Sequence, residues 1–266
     1  MPSLADVVDL LHSWYPPDTA DDFDAVGLVA GAPASDVARV MFAVDPTIEV
    51  AREAVEWGAD LLVVHHPLFL TPVSSVAATT PKGRTLHTLT TGGCALLTAH
   101  TNADQVLSGV SEALAHALGM RDLSPIRPAG PGTATGTGRT GTIDATTLEG
   151  FAAHVAEVLP ATAHGVRVAG EPDRPVRRVA VCGGAGDFLL DELAAADVDV
   201  FLTSDLRHHR AGEFVEHGGP ALVDVAHWAA EWTWLPVVEG RLRAALGDRV
   251  DTRVSTRCTD PWTFRH

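Results

Sequence analysis

Asp60-Leu-Leu-Val-Val-His65-His66-Pro67-Leu-Phe-Leu70 decides how this chain is read. Leu61 to Val64 form a short uninterrupted apolar run, the pattern of a strand buried on both faces inside a parallel sheet. The run stops at two adjacent histidines, and Pro67, which has no N–H, forbids further ladder pairing. In open α/β sheets ligands bind at the carboxyl ends of strands. Neighbouring residues on a strand point to opposite faces, but a bend at the proline lets both rings converge. The pair therefore reads as metal ligands or acid/base groups at the end of a buried strand.

Working outward, the same grammar repeats. Arg39 to Val44 is an apolar strand closed by Asp45-Pro46, and Thr47 to Trp57 reads as a helix stopped by Gly58. Ala95 to Ala99 is a buried strand ending in His100-Thr-Asn-Ala-Asp104. In the second half, Val176 to Val181, Val198 to Thr203 and Ala221 to Val225 are strands, the last running into His227. One continuous helix is expected from Trp228 to Leu246, and a final strand near Val250 to Thr256. Val37-Ala-Arg-Val40 matches Val176-Arg-Arg-Val179, and Glu56 to Val63 matches Ala195 to Leu202, both at an offset of 139 residues. The fold expected is α/β: two similar units from an internal duplication, each a sheet flanked by helices, with a metal site between them. Pro125 to Gly141, rich in glycine and proline, reads as the linker. The boundaries expected are 1–125 and 126–266.

Composition limits the function. The 266 residues carry a formal charge of -15 with a pI near 5.1, which argues against a protein that coats nucleic acid through clustered basic side chains. Three cysteines without a CxxC pair indicate neither a disulfide frame nor a thiolate zinc site. The N-terminus has no basic and apolar leader, and no apolar run approaches the roughly 18 residues of a membrane span, so a cytoplasmic protein is expected.

Ligand-capable residues gather at the strand ends: Asp45, His65, His66, His100, Asp104, Asp205 and His227, with Glu231 one helical turn after His227. Residues i and i+4 share a helix face, so His227 and Glu231 can touch one cation. As one set, His65, His66, Asp104, His227 and Glu231 give three imidazoles and two carboxylates. That is enough for two divalent ions with one carboxylate bridging and open positions left for water. Mixed N/O ligation suits Zn, Fe, Mn, Co or Ni alike. His208-His209, at a helix start, reads either as facing substrate or as standing behind the ligands. Gly183-Gly184-Ala185-Gly186 lacks both the GxGxxG spacing and a Walker lysine, and reads as a tight βα turn.

At these residues the sequence resembles a known family. The pieces are Asp24-Ala-Val-Gly27, Ala59 to Leu68, Ala99-His-Thr-Asn-Ala-Asp104, Gly136-Thr-Gly-Arg139-Thr-Gly141, Thr203-Ser-Asp205-Leu-Arg-His-His209 and Asp224-Val-Ala-His227-Trp-Ala-Ala-Glu231. They are similar, over nearly the whole chain, to the dinuclear-metal-centre hexameric proteins called GTP cyclohydrolase I type 2 homologs. The resemblance implies two metals on His65, His66, Asp104, His227 and Glu231, and a toroidal homohexamer. Longer members carry an extra mid-chain domain for which this chain has no room. Two positions depart from the family pattern: Ala25 replaces an asparagine and Ser204 a glycine. A metal-dependent hydrolase of a small, nucleotide-like substrate is the expected function, with Asp205 or His209 carrying the proton. The alternative is a non-enzymatic metal-binding toroid that buffers metal or scaffolds a partner.

Overall fold

The computed structural model describes all of residues 1–266. Two compact units emerge, Met1–Val106 with Leu235–Thr259, and Leu107–Trp234 with Asp260–His266. This division differs from a single cut in the 125–141 linker. The chain leaves the first unit earlier and returns to it for one helix and one strand.

The first unit contains α1 (Leu4–Trp14), β1 (Gly27–Ala30), β2 (Arg39–Ala43), α2 (Ile48–Trp57), β3 (Leu61–Val64), α3 (Pro81–Thr91), β4 (Ala95–Thr98) and the short α4 (Thr101–Asp104). The returning pieces are α10 (Leu235–Leu246) and β13 (Asp251–Val254). Its sheet runs β1-β4-β3-β2-β13, with β13, β2, β3 and β4 parallel and β1 antiparallel at the edge. All four residues of β3 are buried, as a strand covered by helices on both faces must be. Leu62 and Val64 pack with Val50, Ala51 and Ala54 of α2 and with Leu89 of α3. Each leucine or valine among them contributes roughly 1.5–3 kcal/mol on burial. Ser3 and Asp6 form a reciprocal cap at the start of α1, and Thr47 caps α2.

The second unit contains α5 (Val110–Ala117), β5 (Arg121–Ser124), a small hairpin of β6 (Arg127–Pro128) and β7 (Gly136–Thr137), then β8 (Arg139–Thr147), α6 (Leu148–Val158), β9 (Val166–Ala169) and β10 (Pro175–Ala185). α7 (Leu190–Leu193), β11 (Val200–Ser204), α8 (His208–Glu216), β12 (Ala221–Val225) and α9 (His227–Trp232) complete it. The sheet order is β5-β8-β10-β11-β12-β9. β10, β11 and β12 are parallel, and the other three are antiparallel to their neighbours.

The duplication is present in the detail of each unit. β1-β4-β3-β2 in the first corresponds to β9-β12-β11-β10 in the second. In the first unit the Asp60 carboxylate accepts the N–H groups of Ala38 and Arg39 at 2.7 and 2.8 Å. In the second, Asp199 accepts those of Arg177 and Arg178 at 2.9 and 2.7 Å. These are the same bonds 139 residues apart.

Two expectations are corrected. The last three residues of the linker, Arg139 to Gly141, enter β8, which lies inside the sheet between β5 and β10. The β-branched run Thr140, Thr142, Ile143, Thr146 and Thr147 drives that strand. The helix expected over Trp228 to Leu246 is two helices, because Pro236 lacks an N–H and its ring clashes with the carbonyl one turn earlier. The units also meet in sequence at this break.

Candidate metal centre

In the first unit the site begins at the ends of β3 and β4. His65 and His66 follow β3 with ring centroids 5.0 Å apart, and His100 follows β4 at 5.2 Å from His65 and 5.5 Å from His66. The chain bends at His65 and His66 themselves, just before Pro67, and both rings of the pair come to one place. A ligand-capable atom of each of the three rings lies within 4.8 Å of the others. Asp104, on α4, places its Oδ1 3.8 Å from His65 Nε2. His100 is the member that spacing singled out as a strand-end residue but left outside the five-ligand set.

Each ring is held from behind. His65 Nδ1 donates to the Ala99 carbonyl at 2.9 Å, His66 Nδ1 to Asp45 at 2.7 Å, and His100 Nδ1 to Asp24 at 2.9 Å. Carbonyl and carboxylate oxygens only accept, so each Nδ1 carries a proton, and in the neutral ring Nε2 is the acceptor nitrogen. This is the anchoring that metal-bound histidines show, fixing tautomer and orientation together. Asp24 does more than hold His100. It also accepts the N–H and hydroxyl of Thr101, the first residue of α4, and so fixes the turn that carries Asp104. Burial works against the ionised Asp24 carboxyl, but the bonds from Thr101 and His100 prevail and hold it below the usual carboxylate range. Burial, with repulsion from His65, keeps His100 below the ordinary histidine value.

The second unit carries a His–Glu pair of its own. His227 and Glu231 lie one turn apart on α9, with His227 Nε2 2.9 Å from Glu231 Oε1. His227 Nδ1 donates to Asp205 at 2.7 Å, and this bond holds the Asp205 carboxyl below its usual range. A neutral His227 therefore turns a lone pair toward a carboxylate oxygen, an approach that needs a proton or a cation between the two. Asp205 holds a left-handed backbone with φ 58°, which aspartate tolerates better than most residues. Ser204 is fully buried and lies in β11. Its backbone has no positive φ, so a serine fits where the family has glycine; the strained residue is the next one.

Gly184 decides whether these residues fit a bound ion. It sits near the end of β10 with φ +70°, and a Cβ there would lie 2.6 Å from Glu231 Oε1 and 3.1 Å from His227 Nε2. The glycine run thus leaves open the space directly against the Glu231 and His227 side chains, a role hidden from the spacing of the motif. Nitrogen and oxygen donors, anchored imidazoles and a cleared cradle together suit a divalent cation. His209 lies exposed on α8 against His208, with ring centroids 5.2 Å apart. Cys94 is buried and its thiol is pushed up to about 12, so it is packing rather than chemistry.

The description of one family, Duf34/NIF3 (NGG1p interacting factor 3), matches residues 2–261. The chain belongs to the Duf34/NIF3 family. Among its Duf34/NIF3 relatives, a Streptomyces coelicolor protein named GTP cyclohydrolase 1 type 2 homolog is 48% identical over 273 residues, covering 99% of this chain and 94% of the relative. A Mycobacterium tuberculosis protein of the same name is 36% identical across an alignment of 371 residues, longer than this chain, with 99% of this chain and 97% of the relative covered. Of solved structures, a Staphylococcus aureus protein superposes with a TM-score of 0.89 at 27% identity, covering 99% of both chains. A Bacillus cereus protein related to NIF3 reaches 0.91 at 23% identity, covering 100% of this chain and 99% of the other. That last likeness speaks to the fold. No helix of this Duf34/NIF3 protein is long and apolar enough to cross a membrane.

Proposed function

We propose that this protein is a metal-dependent hydrolase of a small, nucleotide-like substrate. Two divalent ions are held by His65, His66 and Asp104 of the first unit and by His227 and Glu231 of the second. The observation that carries the reading is the common anchoring of the imidazoles. His65, His66 and His227 are each fixed through Nδ1 by an acceptor, and Nε2 of His65 and of His227 is turned to the carboxylates of Asp104 and Glu231. The names of the relatives and the donor chemistry support it. Bound ions there would supply Lewis-acid polarisation and a water acidified toward neutrality.

The chain's own groups have defined parts. Asp45 and the Ala99 carbonyl keep His66 and His65 in the Nδ1–H tautomer. Asp24 positions His100 beside the pair and fixes the Asp104 turn. Asp205 accepts the Nδ1 proton of His227, so we assign it to orienting that ring. His209, turned to His208, is left without a part. By the family resemblance the assembly is a homohexamer in the cytoplasm, which sedimentation of the purified protein tests directly.

The deciding experiment is metal content of the purified protein and of His65→Ala and Glu231→Ala, one variant from each unit. A shared centre predicts that either variant loses metal. Full occupancy in either one would sink the ligand assignment. Turnover of nucleotides and phosphoesters that disappears in both variants supports hydrolysis. Metal binding without turnover of any of them supports the non-enzymatic toroid.

A further inference from the structure

The chain's basic side chains number 19, and reading them off leaves 18 arginines and a single lysine, Lys82. That lysine lies on the rim of a cavity of about 380 Å³ in the first unit. Part of the wall is His66, a ligand under the proposal above. Arg84 stands on the same rim, two residues on in the first turn of α3. Both side chains are exposed, and no carboxylate lies within ion-pair distance of either; the Arg84 guanidinium reaches only the Thr79 carbonyl, at 3.5 Å. In a chain of net charge -15, two unpaired cations lining one cavity are conspicuous.

Their placement is built in. Gly83, between them, is buried, and a Cβ there would fall 2.0 Å from the Ala77 carbonyl oxygen. Its N–H is accepted by Thr80 Oγ1 at 3.1 Å. Only glycine lets this turn seal onto the helix, and that seal fixes the backbone from which Lys82 and Arg84 extend. Two acids also line the cavity. Asp45 is engaged, accepting from His66 and from Thr259. Glu49 is exposed, so two carboxylates on the α2 side face the two cations of α3, and only Lys82 and Arg84 offer charged donors to an anion. The rest of the wall is mostly apolar, with Pro46, Ile48, Pro67 and Leu68, and includes Thr47 and Thr85.

We propose that this cavity is a phosphate subsite for the substrate of the adjoining centre. Lys82 acts as a point charge and Arg84 as a two-pronged donor to the phosphate oxygens, while the apolar wall receives the organic part. Arginine suits planar two-point recognition of phosphate, and lysine supplies compact charge. The proposal takes the metal-dependent reading as its setting and narrows the substrate to a phosphate-bearing molecule.

The test is calorimetric titration of the full-length protein with inorganic phosphate, before and after dialysis against a chelator, with metal content measured in parallel. Lys82→Gln and Arg84→Gln should each weaken phosphate binding about tenfold or more, since charge-assisted hydrogen bonds carry more than neutral ones. Both are surface changes that leave metal content untouched. Glu49→Gln should tighten binding a few-fold. Binding that survives chelation and needs Lys82 supports the subsite even if the metal assignment fails. Binding that vanishes on chelation and is unchanged in the Lys82→Gln, Arg84→Gln double variant overturns the subsite and leaves the metal centre standing. Acetate competing as well as phosphate would overturn the phosphate assignment.

Discussion

Replacing Gly184 by alanine is the sharpest probe of the metal centre. The added Cβ would stand 2.6 Å from Glu231 Oε1, whereas ordinary contact begins near 3.4 Å, so the carboxylate must retreat by about 0.8 Å. Metal–ligand distances tolerate only about 0.2 Å. The φ of +70° adds backbone strain of about 1–2 kcal/mol for any side chain. Two effects should therefore separate. Chelator-stripped protein should lose only the strain, a fall in melting temperature of about 2–8 °C for a chain of this size. Metal affinity, measured by competition with a calibrated chelator, should fall about 10–100-fold, as when a group supporting a ligand is lost. Gly212→Ala in α8 is the control: nothing lies within 4 Å of its Cβ and its φ is not positive, so neither quantity should fall. If Gly184→Ala bound metal like the parent, the space beside Glu231 and His227 would have no bearing on metal, and the cradle argument would be wrong.

Three further outcomes follow from the anchoring. Asp205→Ala should lower metal affinity about 10–100-fold by freeing the His227 ring, and Asp205→Asn, which keeps an acceptor, should lower it less; equal losses in the two would count against an orienting role. Asp24→Ala strips the acceptor from His100 and Thr101 and should cost about 2–3 kcal/mol in chemical denaturation, an effect that must be absent if the Asp104 turn holds itself. The metal-stripped protein should lose stability as the pH falls below about 6.5. There the unfolded chain takes up a proton on residue 100 while the folded ring, its affinity for protons lowered, does not. Asp24, held below its usual range, extends the loss further into acid, because its contribution is present above the unfolded value and goes as the folded carboxyl protonates. Melting curves of the parent and His100→Asn across this range should diverge in slope; parallel slopes would refute the assignment.

Much of the site was legible because its chemistry is local. His65-His66-Pro67 closes a buried strand, and His227 with Glu231 needs only helical spacing to share a face. Other parts were not legible because they depend on distant partners. Asp24 and His100 are 76 residues apart, and only the fold shows that one orients the other. The glycines at 183, 184 and 186 look like any βα turn until Glu231 is seen against Gly184. Asp205 reads equally well as a proton carrier or as an anchor, and only the fold shows its bond to His227 Nδ1.

By itself the sequence determined the α/β class, the duplication and the strand ends at which the histidines gather, because apolar period and a constant offset are properties of the chain alone. Tertiary structure decided which unit each segment joins. β13 returns to pair with β2, and β8 lies inside the second sheet, since ladder partners are chosen by registers that no local pattern encodes. It also decided which nitrogen each histidine presents, because tautomer is set by the acceptor behind the ring, and that acceptor is brought there by folding.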